Sequence, residues 1–194
     1  DSPKPLIAKV EGNAFGGGIG IISVCDVAIS LENIKLALTE AKLGLIPATI
    51  SPYVISKVGS SNGIDLFTSA RTFYPSEAKN IGLIKSFCNE ESIDNIINEE
   101  ADSILINGPS AVTASKNLVR NLSSKIDENT VKFTVEALAD VWENPESIEG
   151  INAFFEKRKP NQNEPISPSL SLKFLYGHIL ESLVVFLVKL SGNK

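Results

Sequence analysis

The apolar positions change period along the chain. Up to about residue 50 they fall in short, strand-length runs, Leu6–Val10, Val27–Leu31 and Lys35–Leu38, set apart by glycine or polar punctuation such as Gly12. Between the first two runs lies Gly12-Asn-Ala-Phe-Gly-Gly-Gly-Ile-Gly-Ile-Ile-Ser-Val-Cys-Asp26, a glycine-rich turn entering an apolar helix that is predicted to end near Val24. Strand, glycine turn, helix, strand is the order of a βαβ-like unit, which favours a right-handed crossover. Leu43-Gly-Leu-Ile-Pro47 reads as a loop, and Ser51-Pro52 as the start of a further helix.

From Ser92 onward the period becomes helical. Ile93, Ile96, Ile97, Ala101 and Ile104 share one face, with Ser92 predicted as N-cap and Gly108-Pro109 as the stop. Pro109 opens a second helix with Ala111, Ser115, Leu118 and Leu122 expected inward. Val131, Val135, Leu138 and Trp142 repeat the pattern, and Asn144-Pro145 caps and begins a last helix carrying Ile148, Ile151 and Phe155. Such stripes predict core or subunit interface. No internal repeat of fixed period is present. Asn161 to Pro168 reads as a polar, proline-broken linker, and Leu170 to Leu190 as an apolar run broken by Lys173, His178, Glu181 and Lys189. Its longest uncharged stretch, Ser182 to Val188, is too short to cross a bilayer. An appended helix that packs on the body or on a partner is expected there, and membrane binding is disfavoured. The chain therefore divides into an α/β portion at 1–88, a helical region at 89–160, and a linker with an appended apolar helix at 161–194.

Composition narrows the function classes. With 194 residues and 43% hydrophobic content the chain can bury a substantial core. A net charge of -5 offers no electrostatic footprint for nucleic acid. Two cysteines, Cys25 and Cys88, make neither a disulfide scaffold nor a metal set, which points to a reducing, cytoplasmic setting. The single histidine, His178, disfavours a Ser-His-Asp type site. The opening Asp-Ser-Pro-Lys-Pro has no signal-peptide character and no initiator methionine, so the true N-terminus is expected upstream of Asp1.

The candidate chemistry centres on the glycine run. It is not a dinucleotide fingerprint, because the third glycine position is Ile21, and no Gly-Lys-Ser/Thr follows for a phosphate loop. Gly16 to Gly18 free the backbone for close approach, and unpaired amides at a helix start suit a developing negative charge. Tight strand-to-helix packing accounts for the same glycines equally well. Glu40 follows a strand and precedes a loop, where a carboxylate can face a pocket. Glu11 and Asp26 sit at strand ends, where turn and capping roles are usual, and Cys25 reads as a small buried apolar residue.

Taken as a set, Lys4-Pro-Leu-Ile-Ala-Lys-Val-Glu-Gly-Asn-Ala-Phe-Gly-Gly-Gly18, Cys25-Asp-Val-Ala-Ile29, Leu38-Thr-Glu-Ala-Lys-Leu-Gly-Leu-Ile-Pro47, Thr72-Phe-Tyr-Pro-Ser-Glu-Ala-Lys-Asn-Ile-Gly-Leu-Ile84 and Phe154-Phe-Glu-Lys-Arg-Lys-Pro160 resemble the enoyl-CoA hydratase/isomerase (crotonase) family over about residues 3 to 160. Ile50-Ser-Pro-Tyr-Val54 resembles bacterial hydratases of branched-chain and isoprenoid catabolism, such as methylglutaconyl-CoA hydratase. The resemblance implies an α/β fold, a partial crotonase-like ββα spiral followed by a helical C-terminal oligomerisation region. It implies a trimer or hexamer of identical chains, an acyl-CoA substrate, and no permanently bound cofactor or metal, coenzyme A arriving as part of the substrate. Two backbone amides then hold the thioester oxygen as enolate charge develops. Gly17 falls at the second donor, and the first belongs to a segment ahead of residue 1 in family members. The resemblance makes Glu40 the acid/base. It places Ala14, Phe15, Gly16, Gly20, Thr39, Leu45 and Ala48 along the substrate, and Lys157, beside Arg158, near coenzyme A phosphates. A second glutamate, used by the best-known hydratases, is here Gly20. Hydration of a 2-enoyl-CoA with Glu40 as acid/base is the expectation. Double-bond isomerisation by Glu40 alone and a non-catalytic remnant that binds family subunits are the alternatives.

Overall fold

The computed structural model describes residues 2–123 and 126–161. Asp1–Asn163 form one compact unit. The linker beyond Asn161 and the appended helix, with His178, lie outside the described residues.

The chain winds so that successive turns each add a strand to two small sheets. β1 (Ile7–Val10) and β3 (Val27–Leu31) pair in parallel with Ile7 opposite Val27, and β6 (Ser86–Cys88) joins the far side of β3. The second sheet sets β2 (Ala14–Phe15) parallel to β4 (Leu36–Ala37), with β5 (Thr72–Phe73) antiparallel to β4. α1 (Gly17–Val24) makes the crossover from β2 to β3, and α2 (Ser51–Ser69) packs on α1. The three strand runs and the helix end near Val24 agree with the periodicity. Two-residue β2 and β5 escape it, because so short an element shows no alternation. β3 is enriched in β-branched and apolar residues and lies between two strands, so Ala28, Ile29 and Ser30 are almost fully buried.

Ile19, Leu36, Leu38, Val54, Leu66, Phe73 and Leu83 fill the space between the sheets and α1 and α2. α2 breaks at Gly59, whose φ of 78° and ψ of 161° only glycine adopts without strain. α3 (Pro75–Asn80) leads through Gly82 to β6.

Four helices follow: α4 (Ile93–Leu105), α5 (Pro109–Leu122), α6 (Glu128–Trp142) and α7 (Pro145–Phe155). Their existence and order match the pattern, but several details differ. Ser92 stands at the α4 N-cap position, yet its hydroxyl caps nothing; its own amide instead donates to Asn89 Oδ1 at 3.0 Å. On α5 the expected inward residues Ala111, Ser115, Leu118 and Leu122 are exposed, while Val112, Thr113 and Lys116 turn toward the body. The reason is electrostatic: Lys116 Nζ reaches Asp26 Oδ2 at 2.5 Å and the Lys4 carbonyl at 2.7 Å, so the polar side of α5 is the docked one. Val131 and Val135 on α6 are likewise exposed, with Thr134 buried in their place. Asp127, unremarked in the sequence, caps α6 by accepting from the Thr130 amide at 2.8 Å. The Asn144 cap on α7 is present, accepting from the Glu146 amide. α7 buries Ser147, Gly150 and Ala153 rather than Ile148 and Phe155.

Candidate active site

The glycine run and Glu40 meet because β2 and β4 are partners. Phe15 lies opposite Ala37, and the Gly16 amide donates to the Ala37 carbonyl at 3.0 Å, so the chain leaving β2 is held beside the chain leaving β4. Three residues after Ala37 stands Glu40, the first residue of a 3-10 turn (Glu40–Leu43) whose N-cap is the half-buried Thr39. Lys42 donates to the Thr39 carbonyl and Leu45 to the Glu40 carbonyl, which closes the turn. Gly44 ends it in the left-handed region, at φ 67°.

Gly16 takes φ 48° and ψ -114°. A Cβ built there would come within 2.9 Å of Glu40 Oε1. This glycine is therefore required twice, by its backbone angle and by the carboxylate against it. Among the described residues, Glu40 Oε2 is buried and accepts no hydrogen bond. Burial pushes the Glu40 carboxyl above its ordinary value, and its own backbone amide acts in the opposite direction.

At the other side of Gly16, α1 begins. Ile19 and Gly20 amides return to the Gly16 carbonyl at 2.9 and 3.3 Å, which leaves the Gly17 and Gly18 amides without an acceptor in the first turn. Gly17 is exposed, and a Cβ there would meet nothing within 4 Å. Among the described residues no packing demand makes position 17 a glycine, in contrast to Gly16. Gly18 by comparison packs on Ala14.

Gly20 has a different reason. It is buried, and a Cβ on it would stand 2.9 Å from Ile50 Cβ and still closer to the branch methyl. Ile50 thus fills the space into which a side chain at position 20 would project. Ile50 was missed as a site residue: nothing in a sequence window links it to Gly20, thirty residues earlier. Of the other expected substrate-side residues, Ala14 and Ala48 are buried, Leu45 is half-buried and Phe15 is exposed. The structure thus brings Ala14, Phe15, Gly16, Gly17, Thr39, Glu40 and Leu45 together around the β2–β4 pair. Gly20 packs against Ile50, and Ala48 stands buried two residues before Ile50 in the chain.

Lys157 follows α7 at φ 54°, exposed, and pairs with no carboxylate among the described residues. Its neighbour Arg158 is committed to Glu149 and Glu156, and the Arg158 guanidinium, with the Asn161 amide, pulls the Glu149 carboxyl down to about 2. A shallow open groove on α5, lined by Pro109, Ser110, Thr113, Ala114 and Asn117, carries no ionisable side chain and is remote in chain from Glu40. Among the described residues no group of three or more His, Cys, Asp or Glu is placed to hold a metal ion, and no helix is long and apolar enough to cross a membrane. Cys25 is half-buried, its thiol donating to the Ile21 carbonyl, and burial pushes its pKa up. It stands at the C-cap of α1.

Comparison with known proteins addresses the whole of this region. The family model described as Enoyl-CoA hydratase/isomerase matches residues 1–165. The chain is 33% identical over 159 residues to enoyl-CoA hydratase EchA19 of Mycobacterium tuberculosis, covering 81% of this chain and 60% of that one. Among solved structures it resembles an enoyl-CoA hydratase from Shewanella pealeana, at 39% identity and a TM-score of 0.60 over 82% of this chain and 60% of that one. An enoyl-CoA hydratase from Mycobacterium avium matches at 28% identity with a TM-score of 0.73, over 82% of this chain and 63% of that one. The chain spans about three fifths of the length of the curated relatives it matches. With the winding two-sheet body, the four helices and a model match across 165 of its residues, the chain belongs to the enoyl-CoA hydratase/isomerase family, of crotonase fold.

Proposed function

We propose that this protein acts on an acyl-CoA thioester, hydrating a 2-enoyl-CoA with Glu40 as the acid/base and the Gly17 amide as one donor to the thioester oxygen. The observation that carries the reading is the Glu40 carboxylate. It is withdrawn from water and lies against Gly16 at the start of α1, and among the described residues one of its oxygens and the first amides of that helix have no partner. In hydration the ionised carboxylate takes a proton from water as the water oxygen bonds to the β-carbon of the substrate. The electron pair of the double bond moves toward the thioester oxygen, where an amide at the start of α1 meets the charge. Glu40 then returns the proton to the α-carbon. One carboxylate performs both transfers, since Gly20 supplies none. Hydratase names among the relatives support this reaction class.

A specific observation favours isomerisation as a second reading. Ile50 fills the space beside Gly20, so among the described residues Glu40 is the one proton carrier beside the glycine turn. Taking a proton from the α-carbon of a 3-enoyl-CoA and returning it to the γ-carbon needs one carboxylate and no ordered water. Coenzyme A enters as part of the substrate, with the exposed Lys157 ammonium as a partner for its phosphates, and no resident cofactor is required. The likeness of Ile50–Val54 to methylglutaconyl-CoA hydratases nominates branched acyl groups. The apolar residues exposed on α4 to α7 fit a homo-oligomer, and the cysteine usage fits the cytoplasm.

The intact protein should be assayed with crotonyl-CoA and with a 3-enoyl-CoA in deuterated water, beside Glu40→Gln. Hydration is expected to place oxygen on the β-carbon of the first, and Glu40→Gln to lose about 10²–10⁴ of the turnover. Double-bond migration in the second without net hydration selects the isomerase. No turnover of either, with co-purification of an intact homologue, selects a non-catalytic subunit-binding role.

A further inference from the structure

We propose that α7 sets the position of Glu40, with Ser147 and Gly150 as positioning residues; this rests on the reading of Glu40 as the acid/base. The 3-10 turn that carries Glu40 packs against α2 on one side and α7 on the other. Against α7 the approach is backbone to backbone. A Cβ on Gly150 would stand 2.8 Å from Leu43 Cα and closer still to the Leu43 carbonyl. A Cβ on Gly44 would stand 2.6 to 2.8 Å from the Glu146 carbonyl group and the Ser147 amide. Those neighbours are main chain and cannot rotate aside.

Between the two glycine contacts lies Ser147, which is fully buried. Its Oγ is 2.6 Å from the Gly44 carbonyl and 2.6 Å from the Val141 carbonyl. One hydroxyl proton serves both, so Ser147 joins the end of α6, the start of α7 and the cap of the turn. Ala153, also fully buried, continues the same face. Ser147, Gly150 and Ala153 recur at three-residue spacing, the repeat of a helix face that must approach another backbone closely.

The consequence for chemistry is geometric. Glu40 Oε1 lies in the space that a Cβ of Gly16 would fill, so the carboxylate is seated directly against the glycine backbone. Any added atom at position 150 must therefore move the turn and its carboxylate, or move α7 away from it. A displacement of about 1 Å of a reacting group is enough to lower a rate about 10²-fold. α7 binds no substrate in this scheme and acts only through the turn.

The test uses the intact protein with crotonyl-CoA, or the 3-enoyl-CoA if that is the substrate turned over. Gly150→Ala is expected to lower kcat about 10²-fold with KM within about twofold. The acid limb of the kcat profile should move toward the ordinary carboxylate range as Glu40 gains solvent. Ser147→Ala, which removes one oxygen and adds no volume, is expected to act in the same direction and more weakly, and is read in place of Gly150→Ala if that variant does not fold. The decisive comparison is Glu40→Gln with and without the second change. If α7 acts through Glu40, Gly150→Ala or Ser147→Ala adds no further loss in the Glu40→Gln background. Multiplying losses, or an unmoved acid limb in a folded variant, overturns the proposal. Full activity of Glu40→Gln alone instead overturns the acid/base reading on which it rests.

Discussion

At the residue scale the site is built by exclusions, and each has a measurable consequence. Burial raises the Glu40 carboxyl, so the fold binds that proton more tightly than the unfolded chain does. Stability from this group is therefore greatest below the ordinary carboxylate value, and it declines as pH rises through the raised folded value. Glu40→Gln is thus expected to lose turnover while its melting temperature at neutral pH equals or exceeds that of the parent, with the gap closing near pH 4; parallel melts at the two pH values check it. The wild-type kcat should rise through the same raised pKa if the carboxylate acts as base. Gly17 has the first helical position, where proline is accepted and the amide is lost. Gly17→Pro should keep the fold by circular dichroism and lose about 10²–10³ in kcat. At Gly20, alanine gains about 1 kcal/mol of helix propensity but collides with Ile50, at about 1–3 kcal/mol. Gly20→Ala is expected to destabilise the parent in chemical denaturation and to cost less in an Ile50→Ala background, where only the Cβ contact remains, a coupling that direct crowding produces.

At the element scale, one polar clasp holds the first helical layer. Asp26 Oδ2 accepts from the Leu6 amide at 2.6 Å and from Lys116 Nζ at 2.5 Å, so a single carboxylate ties the start of β1, the start of β3 and the middle of α5. Lys57 Nζ donates to the adjoining Cys25 carbonyl at 2.7 Å, and burial lowers its pKa. Asp26→Ala should cost about 1.5–3 kcal/mol, the worth of hydrogen bonds to a charged group. Hydrogen exchange in that variant should rise first on α5 and the β1 edge. The strands and helices were legible in the chain because Leu6–Val10, Val27–Leu31 and Ile93–Ile104 are long enough to show a period. The direction in which α5 faces was not, since Lys116 docks through its charge and a hydrophobic pattern assigns no weight to that. The seat of α7 was hidden for a related reason: Ser147, Gly150 and Ala153 bury a face by being small, not by being apolar.

Over the whole molecule, the helical region leaves large side chains in water within a single chain. Leu105, Leu122 and Phe133 are 76%, 80% and 69% exposed, a load of apolar surface that isolated subunits seldom carry. The intact protein is expected to sediment as a trimer or hexamer, and Leu122→Glu with Phe133→Glu to shift it toward smaller species; a monodisperse wild-type monomer at micromolar concentration would sink that expectation.

The chain by itself determined what depends on residue type and local period: the short strands, the glycine turn that opens α1, the Asn144 cap, and Glu40 as the acid to watch through its family-like surroundings. Tertiary structure alone decided which backbones touch. It placed Glu40 against Gly16, filled the side of Gly20 with Ile50, and pressed α7 on the turn that carries Glu40. Those contacts join residues from about twenty to more than a hundred positions apart. They exist only once the sheets and helices have packed, because a missing Cβ is a signal of closeness that carries no address for its partner.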